Sequence, residues 1–186
     1  NKCQAQKKLN DENKKVNKNI SNDNKELINN SDVIILSSYW SKDDLNTLEE
    51  LIKILKNFNK KIIITSNSPV FQNDIFLGQN FTLIDYFTYK IKRLPSETEL
   101  KEIEKTSYKK QRKHVRKINN KLKNIANKLN IIYLEKKLYA CFEIKKRCEV
   151  LTDKKEKIYY DGSHYTISGA RYFGKKINEM NWLNEI

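Results

Sequence analysis

The chemistry of this chain concentrates in one stretch, Asp161-Gly162-Ser163-His164-Tyr165-Thr166-Ile167-Ser168-Gly169-Ala170. The stretch falls between a predicted strand and a predicted helix, where loops display side chains at the edge of a parallel sheet. An Asp three residues before a His in such a turn accepts the imidazole Nδ1 proton and leaves Nε2 as a general base for a hydroxyl. Asp161 and His164 are therefore expected to form two-thirds of a serine triad. The other histidine, His114, lies in the basic run 109–117 and belongs to a solvated helix face. The four glycines, Gly78, Gly162, Gly169 and Gly174, are too scattered for a phosphate-binding loop or a dinucleotide fingerprint, which need clustered glycines. No nucleotide, metal or other organic cofactor is expected.

The three cysteines are unevenly placed, with Cys3 far from the pair Cys141 and Cys148. That pair brackets a short loop. A bridge between them would stabilise the segment by about 2 to 3 kcal/mol and suits an oxidising compartment, while two free thiols remain the alternative. There is no CxxC pair, and neither histidine stands at zinc-ligand spacing from these cysteines.

A net charge of +14 raises nucleic acid as a partner. The lysines, however, are spread from Lys2 to Lys176 and accompany an excess of Asn and Ile, which points to a genome-wide bias towards A and T and not to a basic face. No nucleic-acid partner is expected. At 186 residues, 38% hydrophobic and 32% charged, the chain has the size of one domain, and its short apolar runs argue against global disorder. No apolar run is long enough to cross a bilayer.

The elements that must hold the loop follow from the pattern of apolar residues. Residues 1–30 are a polar lead-in, expected to be partly helical. Residues 33–37 form an apolar run ending in small polar residues, typical of a parallel strand buried on both faces. Ser41 is the expected N-cap of an amphipathic helix to about residue 57, and 61–65 is a second buried strand ending at Ser66-Asn67-Ser68-Pro69. Strand, helix, strand in this order implies a right-handed crossover and a parallel sheet. Residues 70–96 are expected to be an irregular aromatic excursion with short strands, and 97–129 to be helical in one or two pieces. A third strand follows at 130–134, a small hairpin pairs 148–151 with 157–160, and a final helix spans 166–180 with Trp182 and Leu183 packing back.

The block from Asp161 to Ala170 resembles the last block of SGNH hydrolases, in which a D-x-x-H loop leads into a helix start. Ser31-Asp32-Val33-Ile34-Ile35-Leu36-Ser37-Ser38-Tyr39-Trp40 is similar to the strand ending in Trp in SGNH domains fused to membrane acyltransferase-3 proteins, and residues 138–148 resemble their two-cysteine loop. The resemblance spans about residues 31–178. It implies a three-layer α/β/α fold with a mainly parallel sheet, SGNH/flavodoxin-like, covering 31–186 as the C-terminal portion of the domain. It also implies serine-type transfer of an acyl group, acetyl in the first instance, to a cell-surface polysaccharide. The partners would be an acyl donor, a carbohydrate acceptor and an N-terminal membrane acyltransferase domain, on the periplasmic or extracytoplasmic side of the membrane.

Two departures qualify the match. The family's opening Gly-Asp-Ser does not occur, so the first strand, nucleophile loop and nucleophile are expected upstream of residue 1. Ser163 is adjacent in sequence to its own base and poorly placed for attack. The usual Gly-x-Asn oxyanion segment is replaced by Ser37-Ser38-Tyr39-Trp40, and the oxyanion or pocket candidates are Ser37, Ser38, Tyr39, Trp40 and Asn67. Two other readings stay open: a non-catalytic carbohydrate-binding or assembly domain, and a basic nucleic-acid-binding module.

Overall fold

Parallel strands cannot be joined by a tight turn, so a strand that repeats in parallel must bring a crossover helix with it. A computed structural model describes residues 22–72, 74–76 and 79–184. Its sheet has the order β1-β2-β5, all parallel, from β1 (Val33–Leu36), β2 (Lys61–Thr65) and β5 (Ile132–Leu134). Helix α1 (Asn22–Asn29) precedes the sheet, and Ile28 packs onto the core. The part of the expected lead-in before residue 22 lies outside the described residues.

Helix α2 (Asp44–Lys56) carries the first crossover. Its start is set by reciprocal bonds: Ser41 N–H donates to Asp44 Oδ2 at 2.6 Å, and Asp44 N–H donates to Ser41 Oγ at 3.4 Å. Alternation along β2 sends Ile62 and Ile64 to one face. There they meet Leu48, Ile52 and Leu55 of α2 and Leu122, Ile125 and Ala126 of α5 (Lys113–Leu129). Ile63, on the other face, is equally buried. This is the mixed α/β architecture with a parallel sheet that the sequence predicts.

Three details depart from the expectation. First, β1 is not buried on both faces: among the described residues it pairs only with β2, and Ile35 is 51% exposed. Second, the excursion 70–96 contains a hairpin, β3 (Asp74–Phe76) with β4 (Gln79–Phe81), but also a regular helix, α3 (Leu83–Ile91). The sequence signal for α3 was the capping box between Thr82 and Asp85.

The helical stretch, expected in one or two pieces, is in two, α4 (Glu97–Lys109) and α5, because residues 70–72 pair across the break. Arg112 N–H donates to the Val70 carbonyl at 2.8 Å and Gln72 N–H to the Lys110 carbonyl at 2.9 Å. Third, the expected 148–151/157–160 hairpin shrinks to a single bridge, Leu151 with Lys157. The regular hairpin is instead β6 (Cys141–Phe142) with β7 (Arg147–Cys148), after the short helix α6 (Lys137–Ala140), and a Cys141–Cys148 disulfide closes it.

Helix α7 (Ile167–Glu179) ends the fold as predicted, with Thr166 Oγ1 accepting from Gly169 N–H at 3.0 Å. Phe173 of α7 joins Phe71, Tyr139, Ile158 and Tyr159 in a second core around the disulfide. Trp182 packs edge-on against Tyr139, whereas Leu183 is exposed. A Cβ at Gly169 would lie 2.1 Å from the Ile158 carbonyl oxygen, and this obstacle is backbone that cannot rotate away.

Gly169→Ala is therefore expected to lower unfolding free energy by about 2 kcal/mol in urea titrations, because it overpacks the contact between α7 and the Ile158 backbone. Cys148→Ser should cost a similar amount, about 2 kcal/mol, by releasing a small closed loop.

Candidate active site

The loop carrying Asp161 and His164 is shaped by the same carboxylate that orients the histidine. Asp161 Oδ1 accepts the backbone N–H groups of Ser163 at 2.7 Å and His164 at 2.8 Å, and Oδ2 meets His164 Nδ1 at 2.7 Å. The loop is also tied at both ends. Tyr160 N–H donates to the His164 carbonyl at 2.7 Å, and Phe71 N–H donates to the Gly162 carbonyl at 2.8 Å.

Burial works to raise the Asp161 pKa. The hydrogen bonds from the His164 ring and from the backbone of His164 and Ser163 outweigh it and hold the carboxyl well below the ordinary carboxylate range. Asp161 is thus an ionised acceptor that fixes the imidazole with Nδ1 towards itself. The His164 side chain is 78% exposed, and no described hydroxyl bonds its Nε2. Ser163 Oγ lies 3.4 Å from Nδ1, on the side already taken by Asp161, so it is not the group that Nε2 would deprotonate.

His164 opens onto a cleft of about 520 Å³. Ser38 and Tyr39 from the β1 exit, Asn67 and Ser68 from the β2 exit, and Lys136 from the β5 exit share its lining. All three strands thus deliver residues to it from their C-terminal ends, where ligands bind in open parallel sheets.

The oxyanion candidates divide. Ser38 and Tyr39 line the cleft, and Ser37 touches it through a 3.0 Å bond accepted from Lys136 Nζ. Trp40 is core: it packs with Leu48 and Ile64, and its Nε1 donates to the Thr65 carbonyl at 2.8 Å. Asn67 is 1% exposed and its side chain is committed to structure, taking Trp40 N–H at 2.6 Å and donating to the Trp40 carbonyl at 2.9 Å. Its backbone makes a second reciprocal pair with Asn119 of α5, at 2.9 and 3.1 Å. Asn67 is a staple between the β1 exit, the β2 exit and α5. Lys136 escaped the sequence reading because nothing in the Glu135-Lys136-Lys137 run distinguishes it from other surface lysines.

Residues 2–179 match the SGNH domain family described as fused to AT3 domains. The chain belongs to that SGNH family. The match begins well before the residue 31 at which the resemblance was first legible. Among solved structures, the SGNH chain is similar to the periplasmic domain of the lipopolysaccharide acetyltransferase of Salmonella ser. Paratyphi A, at 18% identity and a TM-score of 0.59. The alignment covers 85% of this chain and 61% of that one, so the present chain spans about three-fifths of its neighbour's length. No curated protein matches the chain in sequence. Among the described residues, no helix of this SGNH chain is long and apolar enough to cross a membrane.

Asn67→Ala would leave the buried Trp40 N–H and C=O without partners, and is expected to destabilise the fold by about 3 kcal/mol in thermal or urea melts. Asp161 has a depressed folded-state pKa, so its contribution to stability is present above its ordinary value of 3.8 and is lost as pH falls through the folded value. Wild type should therefore lose stability more steeply below about pH 4 than Asp161→Asn, read as melting temperature against pH.

Proposed function

We propose that this chain carries the acid and base half of a serine-type O-acyl transfer site, which moves an acyl group, most simply acetyl, onto a cell-surface polysaccharide. The carrying observation is the 2.7 Å contact between Asp161 Oδ2 and His164 Nδ1, which leaves Nε2 free at the mouth of a cleft fed by three strand ends. The family's fusion to AT3 domains supports an N-terminal membrane acyltransferase domain as the source of the acyl group, with the present domain on the extracytoplasmic side. The Cys141–Cys148 disulfide supports an oxidising compartment.

In this reading the nucleophilic serine comes from a preceding part of the protein, on a strand added to the edge of β1 that has no partner among the described residues. Nε2 of His164 takes the serine proton as Oγ attacks the acyl carbonyl. Asp161 stays ionised and stabilises the imidazolium that forms. Collapse of the tetrahedral adduct expels the donor's oxygen, which receives the proton from Nε2 and leaves a serine ester. A sugar hydroxyl then gives its proton to Nε2, attacks the ester and departs acylated, and the proton returns to serine. Backbone N–H groups at Ser38 and Tyr39, beside the cleft, are the candidates for receiving the oxyanion.

In the complete protein, His164→Ala and Asp161→Asn are each expected to lower the rate of acyl transfer to polysaccharide by about 10³- to 10⁴-fold. Because the His164 ring is solvent-exposed, His164→Ala should leave the melting temperature nearly unchanged. Transfer at the wild-type rate in both variants would overturn the reading and leave the cleft as a carbohydrate-binding site.

A further inference from the structure

Lys136 follows β5 by two residues and is fixed by two bonds. Its backbone N–H donates to the buried Ser66 Oγ at 2.8 Å, and its ammonium donates to Ser37 Oγ at 3.0 Å. Each of the other buried or half-buried lysines beyond β5 faces a carboxylate: Lys137 meets Glu143, Lys157 meets Asp85 at 2.6 Å, and Lys176 meets Glu149 at 2.5 Å. Lys136 is the exception. No carboxylate lies within ion-pair distance of its Nζ among the described residues, and its one side-chain partner is a neutral hydroxyl.

Burial alone pushes its pKa below the ordinary lysine value, the mark of a cation that has lost water without gaining an anion. The carboxylate nearest in function, Asp161, is occupied by His164. The cleft therefore holds an unanswered positive charge on a rigid stem. A second, smaller cleft shares Val70 with the first, but there Arg112, Arg116 and Lys137 stand among the carboxylates Glu135 and Glu143, so the charge without a carboxylate partner is confined to Lys136.

We propose that Lys136 forms an anion subsite of the cleft, receiving a carboxylate or phosphate carried by the glycan that binds there. Naming that glycan the acyl acceptor rests on the transfer reading above; the binding itself does not. Such a subsite selects acidic over neutral polysaccharides and sets the distance between the glycan's charged group and the hydroxyl presented to His164.

The test is calorimetric titration of the protein with three probes: a trigalacturonate, its methyl ester, and mannose 6-phosphate. The charged probes are expected to bind about 10-fold more tightly than the ester, and the tighter of the two identifies the anion as carboxylate or phosphate. Lys136→Gln, and Lys136→Met as a variant that retains the packed stem, should reduce that preference to near parity while melting as wild type does. In transfer assays with a charged acceptor, the loss should appear in KM. Equal binding of the charged and esterified probes, an undiminished preference in both variants, or a fall in kcat at constant KM overturns the subsite. If the charge preference depends on Lys136 while His164→Ala transfers normally, the transfer reading fails and the subsite stands. If transfer requires His164 and the preference ignores Lys136, the reverse holds.

Discussion

A single buried amide holds the site together. Asn67 stands where β2 ends, and its side chain clamps both backbone groups of Trp40 where β1 ends, while its own backbone is clamped by Asn119 of α5. Strand ends in a parallel sheet leave backbone donors and acceptors without ladder partners, and burying them unpaired costs free energy comparable to a lost hydrogen bond. One residue with a donor and an acceptor in its side chain and another pair in its backbone meets this need at the junction of three elements. The cleft walls inherit their spacing from it. Ser38 and Tyr39 leave β1 just before the clamped Trp40, and Ser68 leaves β2 just after the clamp.

The Asp161–His164 pair sits across the cleft from this rigid junction, and its order arises differently. Asp161 builds its own loop, using one oxygen for two backbone N–H groups and the other for the imidazole. These bonds are local, so the loop geometry depends little on deep burial, and His164 can remain exposed without losing its orientation. Behind the loop, Tyr159 and Tyr165 lie against Phe173, and the disulfide joins the same cluster. Gly169 lets the helix that follows approach the backbone of Ile158. Aromatic packing and a close backbone contact thus fix the two stems of the loop.

The electrostatics of the two walls differ in kind. On one side, the Asp161 carboxylate is engaged by the His164 ring and by two backbone N–H groups. On the other, Lys136 faces the same space with only a hydroxyl. The net charge of +14 spread along the chain concealed this asymmetry, because a lysine's role depends on which carboxylates fold around it. Lys137, next in sequence, is paired with Glu143 and packs over the Tyr108 ring. Adjacent lysines point to different clefts and do different work.

What the sequence by itself determined was whatever depends on neighbours a few residues apart. The apolar runs of β1, β2 and β5, the amphipathic faces of α2 and α5, the span of α7 and the Asp161–His164 pair all arise from local spacing, and all were legible. The capping box that starts α3 was equally local and was overlooked among aromatics. What only the tertiary structure decided depends on long-range pairing: the break between α4 and α5, set by residues 70–72; the reduction of the 148–151/157–160 hairpin to a bridge; the exposure of Ile35 on an edge strand; the burial of Asn67 as a staple; and the isolation of Lys136. The physical reason is the same in each case. Hydrogen bonding and desolvation take their values from groups that the chain brings together across 27, 52 and 99 residues, and composition and periodicity carry no record of which groups those are.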